Sequence, residues 1–348
     1  MIHDSNLSAR KDDHIRINLE EDVQSGITNG LSKLRFIHNA LPEVNLEDVH
    51  MQQNLFGKNV RIPVLISSMT GGSESSLEIN HRLALAAQQT GAALGLGSIR
   101  AGLEHPELAY TFQIRKFAPD ILLLANLGAV QLEYGYTVET CQRAVDLMDA
   151  DALILHLNPL QEALQPEGQT RFSGLLGKIE QVCRQLEVPV IAKEVGWGIS
   201  KITAQQLQSA GVAAIDVAGA GGTSWSQVEM FRGRTEDQVE IASEFRGWGI
   251  STFESILNVK TAAPGMKLIA SGGLRGGMDC AKCLALGAEL AGLARPFLHS
   301  AVQSTEQVIR QIQIIGRVIQ ISMFATGCRN LEEFHTQPVL FHEERTNK

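Results

Sequence analysis

From residue 64 onward, short aliphatic and β-branched runs alternate with stretches whose apolar residues recur every three or four positions. The runs predict strands at Val64–Met69, Ala93–Gly97, Ile121–Gly128, Ala152–Asn158, Val190–Val195, Ala214–Ala218, Lys267–Gly272 and Glu289–Ala294. Between them the periodicity predicts helices such as Ser76–Thr90, Val138–Met148, Leu175–Leu186, Lys201–Ala210 and Met278–Leu286. Near-continuous apolar strands bounded by helices imply a parallel sheet covered by helices. Eight such units with no ninth favour closure into a barrel. The expectation is an α/β fold, a (β/α)8 TIM barrel, forming a single domain over residues 1–348. Residues 1–60 form an N-terminal extension, 61–325 the barrel, and 326–348 a polar C-terminal tail. The stretch Gly219 to Gly249 is too long for an ordinary strand-to-helix loop, and loops of that length in barrels usually cover the active site. A last helix, about Thr305 to Met323, closes the barrel.

Composition narrows this picture without changing it. A chain of 348 residues fits one large barrel or two ordinary domains, and 44% apolar with 20% charged residues suits a large buried core. A formal charge of −8 argues against nucleic-acid or membrane-surface binding, which need a net basic face. Any anionic substrate must therefore be met by local cations. Met1 to Arg10 is polar, and no run approaches the roughly 18 apolar residues of a membrane span, so no membrane contact and a cytoplasmic location are expected. Cys141, Cys183, Cys280, Cys283 and Cys328 form an odd, scattered set that reads as reduced thiols. Cys280 and Cys283 lie in a helical pattern with no second pair or nearby histidine, and read as small buried residues.

Candidate chemistry gathers at the carboxyl ends of the strands. Gly221-Gly222-Thr223 follows strand six, Gly272-Gly273-Leu274-Arg275 follows strand seven, and Ala294-Arg295 follows strand eight. Glycine lets backbone N–H groups approach phosphate oxygens, and barrels commonly hold phosphate at these ends. Three in succession form a phosphate signature. Lys193 ends strand five inside an otherwise apolar run, where a cation is costly to bury without an anionic partner. Pairing with Glu194 is disfavoured, because adjacent strand residues point to opposite faces. An inward lysine there could form a Schiff base or neutralise a reduced flavin near its N1–C2 carbonyl, and the sequence leaves both open. On strand four, His156 and Asn158 face the barrel mouth together, with Gln161 and Glu162 following. Glu162 suits a divalent ion, since magnesium takes few carboxylates and completes its shell with water and phosphate. Ser67-Ser68-Met69-Thr70, Gly97-Ser98-Ile99-Arg100 and Ala125-Asn126-Leu127-Gly128 offer groups that suit an isoalloxazine ring, with Arg100 suiting a substrate phosphate.

Arg10-Lys11-x-x-His14, Ser68-Met69-Thr70-Gly71-Gly72, Gly97-Ser98-x-Arg100, His156-Leu157-Asn158-x-x-Gln161-Glu162, Ala192-Lys193-Glu194, Gly219-x-Gly221-Gly222-Thr223 and Gly272-Gly273-Leu274-Arg275 occur in order. Together they resemble the type 2 isopentenyl-diphosphate isomerase family, from about residue 10 to residue 297. The resemblance implies an FMN enzyme that interconverts isopentenyl and dimethylallyl diphosphate, with Mg2+ on the diphosphate and NADPH as reductant. It implies that FMN is contacted by Ser68, Met69, Thr70, Ser98, Asn126, Lys193, Thr223, Gly273, Leu274, Arg275, Ala294 and Arg295. Arg10, Lys11, Ser98, Ile99, Arg100, His156, Asn158 and Gln161 would line the substrate, and Glu162 would hold the metal. Gln161, His156, Lys193, Glu229 and Trp225 would make up the catalytic set, the last two closing over the site from the long loop. Ala218 and Ala220 stand where some relatives carry Ser and Arg. A homo-oligomer, tetramer or octamer, is also implied.

Moving a double bond by one carbon needs a proton added at one carbon and another removed two carbons away, and no pair of acidic residues is obvious for both. The resemblance implies that reduced FMN supplies this acid/base chemistry. The main alternative is an FMN-dependent 2-hydroxy-acid oxidoreductase on the same barrel, which needs a histidine and arginine pair that the late strand ends lack. A cysteine-dependent nucleotide dehydrogenase needs a nucleophile in the loop Gly219 to Gly249, which contains no cysteine. A non-enzymatic phosphate-binding module leaves Glu162, Lys193 and the basic amino-terminal motif unexplained together.

Overall fold

A computed structural model describes residues 4–342, and the side chains of residues 11–74 and 76–341. Eight parallel strands close into a barrel: β1 (Val64–Ile66), β2 (Ala93–Gly95), β3 (Leu123–Gly128), β4 (Ala152–Leu157), β5 (Val190–Glu194), β6 (Ala214–Asp216), β7 (Lys267–Ser271) and β8 (Leu290–Leu293). Every expected strand is present but shorter, most of them because their last residues leave the ladder to build the mouth, while the third starts two residues later than expected. The expected helices are present as well, among them Glu74–Thr90, whose N-cap Ser73 accepts from the Ser76 amide and whose C-cap Gly91 takes the left-handed conformation.

The parallel register decides what faces inward. Gly128 aligns with His156, His156 with Lys193, and Lys193 with Asp216, so this row shares one height in the barrel. Two residues earlier on the same face stand Ile154, Ile191 and Ala214, which pack with Leu65, Leu124, Ile269 and Leu290 into an apolar interior layer. The barrel is thus filled with hydrocarbon below and polar groups above.

The N-terminal extension closes both ends. A hairpin of Gln53–Leu55 and Lys58–Val60 turns at Phe56 and Gly57, both with positive φ, and sends Leu55 and Val60 into the lower interior layer as a floor. At the other end the helix Asp4–Glu20 lies over the mouth, where Ile17 and Val23 pack with Val228 and Trp225. The long loop after β6 is itself built from two helices, Trp225–Arg232 and Glu236–Glu244.

The expected polar tail is partly built into the fold. Residues Leu331–Thr336 form a helix with Phe334 fully buried, and Leu340–His342 pairs antiparallel with Leu34–Phe36. The Phe334 ring stacks on Phe36 at 5.6 Å between centroids. Residues 343–348 lie outside the described residues. Cys280 and Cys283 are fully buried, and burial pushes both thiols up, in keeping with small packing residues.

Phe334→Ala is expected to cost about 3 kcal/mol or more of stability, as for other buried phenylalanines, measured by denaturant unfolding. A loss below ~0.5 kcal/mol, typical of surface positions, would show that the segment is not part of the core.

Candidate active site

A cavity of about 750 Å3 opens at the carboxyl ends of the strands. Its floor is the polar row. Lys193 Nζ lies 2.9 Å from Asp216 Oδ2 and 3.3 Å from Ser271 Oγ, and the Ser271 hydroxyl donates to Asp216 Oδ1 at 2.6 Å. All three side chains are buried, so the buried charges neutralise each other within one hydrogen-bonded set. The Glu194 side chain projects to the other face, and its Oε2 accepts from the backbone N–H groups of Val195, Gly196 and Trp197 at 2.6–2.7 Å. Burial pushes this carboxyl up to about 7, against the pull of those three amides and of Lys193.

His156 Nδ1 lies 2.8 Å from Asn126 Oδ1, while Asn126 Nδ2 donates to the Leu96 carbonyl. The amide orientation makes Asn126 an acceptor toward the ring, so Nδ1 carries the proton and Nε2 is the nitrogen able to gain or lose one. Beyond β4, Glu162 accepts from Asn158 Nδ2 at 2.9 Å, from Gln165 Nε2 at 2.6 Å and from the Gln169 amide at 2.6 Å. No lysine or arginine pairs with it among the described residues. A buried carboxylate on the cavity wall, hydrogen-bonded but without a cation, fits a divalent metal. Among the described residues no three His, Cys, Asp or Glu side chains cluster as a metal site, so an ion here would take most of its shell from water and substrate oxygens.

Gln161 donates from Nε2 to Glu229 Oε1 at 3.2 Å. Glu229 also meets Arg232 at 2.5 Å and His14 Nε2 at 3.4 Å. Burial raises the Glu229 carboxyl, but His14, then Arg232 and Gln161, outweigh it and hold the group below its usual value. The His14 ring sits edge-on to Trp225 at 5.0 Å between centroids, which ties the N-terminal helix to the helical loop above the cavity.

On the opposite side the turns after β6 and β7 interlock. A Cβ on Gly222 would lie 2.7 Å from Gly273 N, and one on Gly221, whose φ is 132°, would lie 2.3 Å from Asn29 N. Only glycine fits there. Asn29 Nδ2 donates to the Gly273 carbonyl at 2.8 Å, and Ser25 N donates to Gly222 O at 2.8 Å, so the extension clamps the glycine turns. The helices Gly277–Ala285 and Arg295–Gln303 begin beside these turns, an arrangement suited to a phosphate. On the cavity wall the hydroxyls of Ser67, Ser68 and Thr70 and the side-chain Oδ1 of Asn158 are buried without hydrogen-bond partners. A wall of orphaned polar atoms facing a glycine cradle fits a polar ring that carries a phosphate tail, as FMN does.

The cavity wall brings together Lys11, Ser68, Met69, Thr70, Ser98, Arg100, Asn126, His156, Asn158, Gln161, Glu162, Lys193, Thr223, Trp225, Gly273, Leu274, Arg275, Ala294 and Arg295. Lys11 reaches it from its own chain, donating to the Ser98 carbonyl at 2.8 Å. Glu229 stands one hydrogen bond behind the wall. Ile99 is a correction: its side chain is fully buried in the hydrophobic core and its amide donates to the Asn126 carbonyl, so it seats the turn and does not line the cavity. The side-chain role of Arg10 falls outside the described residues. Asp216, Ser271, Asn29 and Gln131 join the site without having been singled out in the sequence, and Ala220, fully buried, contributes only backbone bonding to the turn.

The chain matches the FMN-dependent dehydrogenase family over residues 157–340. It is 52% identical over 326 residues to an isopentenyl-diphosphate delta-isomerase of Nostoc sp., covering 93% of each chain. It is 49% identical over 334 residues to one from Rickettsia peacockii, covering 96% of this chain and 98% of the relative. Among solved structures it resembles a mandelate oxidase variant carrying a monooxide FMN adduct, with a TM-score of 0.63, 16% identity and coverage of 96% and 99% of the two chains. A flavocytochrome b2 variant gives a TM-score of 0.66 at 18% identity, covering 95% of this chain and 83% of that one. Fold and site together define an FMN-dependent (β/α)8-barrel flavoprotein. Within that class the chain belongs to the type 2 isopentenyl-diphosphate delta-isomerase family and is an isomerase. The oxidoreductase alternative shares only the fold at this level of identity. Among the described residues no helix is long and apolar enough to cross a membrane.

Glu194 yields a pH prediction. Between its ordinary 4.5 and its folded value of about 7, the folded chain keeps a proton that the unfolded chain has released. This group's contribution to stability is therefore present in full below pH 4.5 and falls as pH rises through 7, by up to ~1.4 kcal/mol per pH unit. Unfolding free energies measured at pH 5 and 7 should show this slope, and Glu194→Gln should flatten it. Equal slopes in both proteins would contradict the assignment.

Proposed function

We infer that the chain interconverts isopentenyl and dimethylallyl diphosphate, and that Glu162 would hold the Mg2+ that offsets the charge of the diphosphate. The observation that carries this reading is that one cavity is lined both by a flavin-shaped polar wall and glycine cradle and by Lys11, Arg100 and a Glu162 that pairs with no lysine or arginine among the described residues. Two phosphate-handling regions in one cavity suit a phosphorylated cofactor and a phosphorylated substrate together. When bound and reduced, with NADPH as the reductant, FMN supplies acid and base at N5 with no net electron transfer.

The protein's own groups position both molecules. Lys193 is read as the cation that favours negative charge at the flavin N1, held in place by the Asp216 carboxylate 2.9 Å from its Nζ. Glu229 is held as an anion by His14 and Arg232, which makes it a poor proton donor and a good anchor for Gln161. Gln161, His156 and Asn158 orient the hydrocarbon end of the substrate, and Lys11 and Arg100 meet its diphosphate, with Arg10 expected alongside them. Trp225 and the helix Asp4–Glu20 exclude water from above. A homo-oligomer remains part of this reading.

Glu162→Gln removes the carboxylate proposed to meet the metal and leaves the flavin side of the cavity intact. Magnesium titrations of activity should show roughly tenfold or greater weakening of the metal dependence, with FMN content unchanged. Identical magnesium dependence in variant and wild type would remove the metal from Glu162.

A further inference from the structure

Asp216 has no task in that scheme. It ends β6, is fully buried, and does not line the cavity. Its two oxygens divide their bonds. Oδ2 takes the Lys193 ammonium at 2.9 Å, while Oδ1 takes the Ser271 hydroxyl at 2.6 Å and the backbone N–H of Ala218 at 3.3 Å. Ala218 has φ +34°, a region that L side chains rarely occupy and that must be held by its surroundings. A carboxylate accepting from the amide two residues on is a local device that holds such a turn. Ala218 opens the run Gly219-Ala220-Gly221-Gly222 that packs against Gly272 and Gly273. The same carboxylate therefore holds the Lys193 cation through one oxygen and the start of the glycine turns through the other.

Lysine has three N–H donors. Two of those on Lys193 are directed at Asp216 and Ser271, which fixes the ammonium while Lys193 still forms part of the cavity wall. We propose that Asp216 is the positioning residue of the flavin site, setting both the place and the effective charge of Lys193 while holding the turn that begins the phosphate cradle. The proposal rests on Lys193 facing the flavin ring. Oxidised flavin is neutral there, and two electrons with one proton at N5 leave a negative charge near N1. A nearby cation favours that reduced form, and an anion behind the cation opposes it. Removing the two charges one at a time should therefore move the midpoint potential in opposite directions, which loss of structural support alone would not do.

The test uses FMN-loaded enzyme titrated with dithionite against a reference dye, with the FMN dissociation constant measured by flavin fluorescence. K193M should lower the midpoint potential. D216N should raise it and weaken FMN binding about tenfold, as expected for a loss near 1.4 kcal/mol. D216E, which keeps the charge, should bring the potential back toward wild type. A D216N potential equal to wild type, or shifted the same way as K193M, overturns the proposal while leaving the reading of Lys193 intact. An unchanged potential in K193M overturns that reading itself. Should D216N not fold, D216S is titrated in its place, and a potential equal to wild type or shifted the same way as K193M overturns the proposal.

Discussion

A buried ammonium must meet a carboxylate, and much of this molecule follows from how the barrel meets that demand. Lys193 and Asp216 are register partners on adjacent parallel strands, so the closed sheet itself sets their spacing. Leaving either charge alone at that depth would cost several kcal/mol, which makes the pair a strong constraint on the height at which polar groups begin. Below it, Ile154, Ile191, Leu124 and Ile269 fill the barrel with hydrocarbon. Level with it stands His156, and above it the cavity opens. The division between a dry core and a reactive mouth falls within one row of residues.

The mouth is then completed by chain that is distant in sequence. Asn29 and Ser25 bond to the glycine turns after β7 and β6, and Ile17 packs under the helix that begins at Trp225. His14 reaches Glu229, which holds Gln161. The N-terminal extension thus serves as the roof of the site and, through the hairpin at Phe56 and Gly57, as its floor plug. A barrel cut free of its first sixty residues would expose Leu65 and Leu122 below and leave the glycine turns unclamped above.

Much of this was legible in the sequence, for a physical reason. Parallel strands buried on both faces must be apolar throughout, so all eight stood out, and Lys193 stood out as an ionisable residue within one of them. Asp216 carries the same signal, two residues after Ala214 on the inward face, and could have been found as the anion that Lys193 requires. Asn29 could not, since its role arises from contacts with Gly221 and Gly273 far along the chain. Ile99 read as a site residue because its neighbours Ser98 and Arg100 are, yet it points the other way, into the core. The segment around Phe334 read as a polar tail because its few apolar residues, Leu331, Phe334 and Val339, are diluted by charge, although they are the ones that pack.

The central claim is that this flavin barrel does proton chemistry without consuming electrons. Its most direct test is the stoichiometry of anaerobically reduced enzyme with isopentenyl diphosphate and magnesium, following product and the flavin absorbance together. The account predicts that oxidised enzyme is inert, and that reduced enzyme forms many equivalents of dimethylallyl diphosphate while its flavin stays reduced. Flavin reoxidation in step with product, one for one, would contradict it.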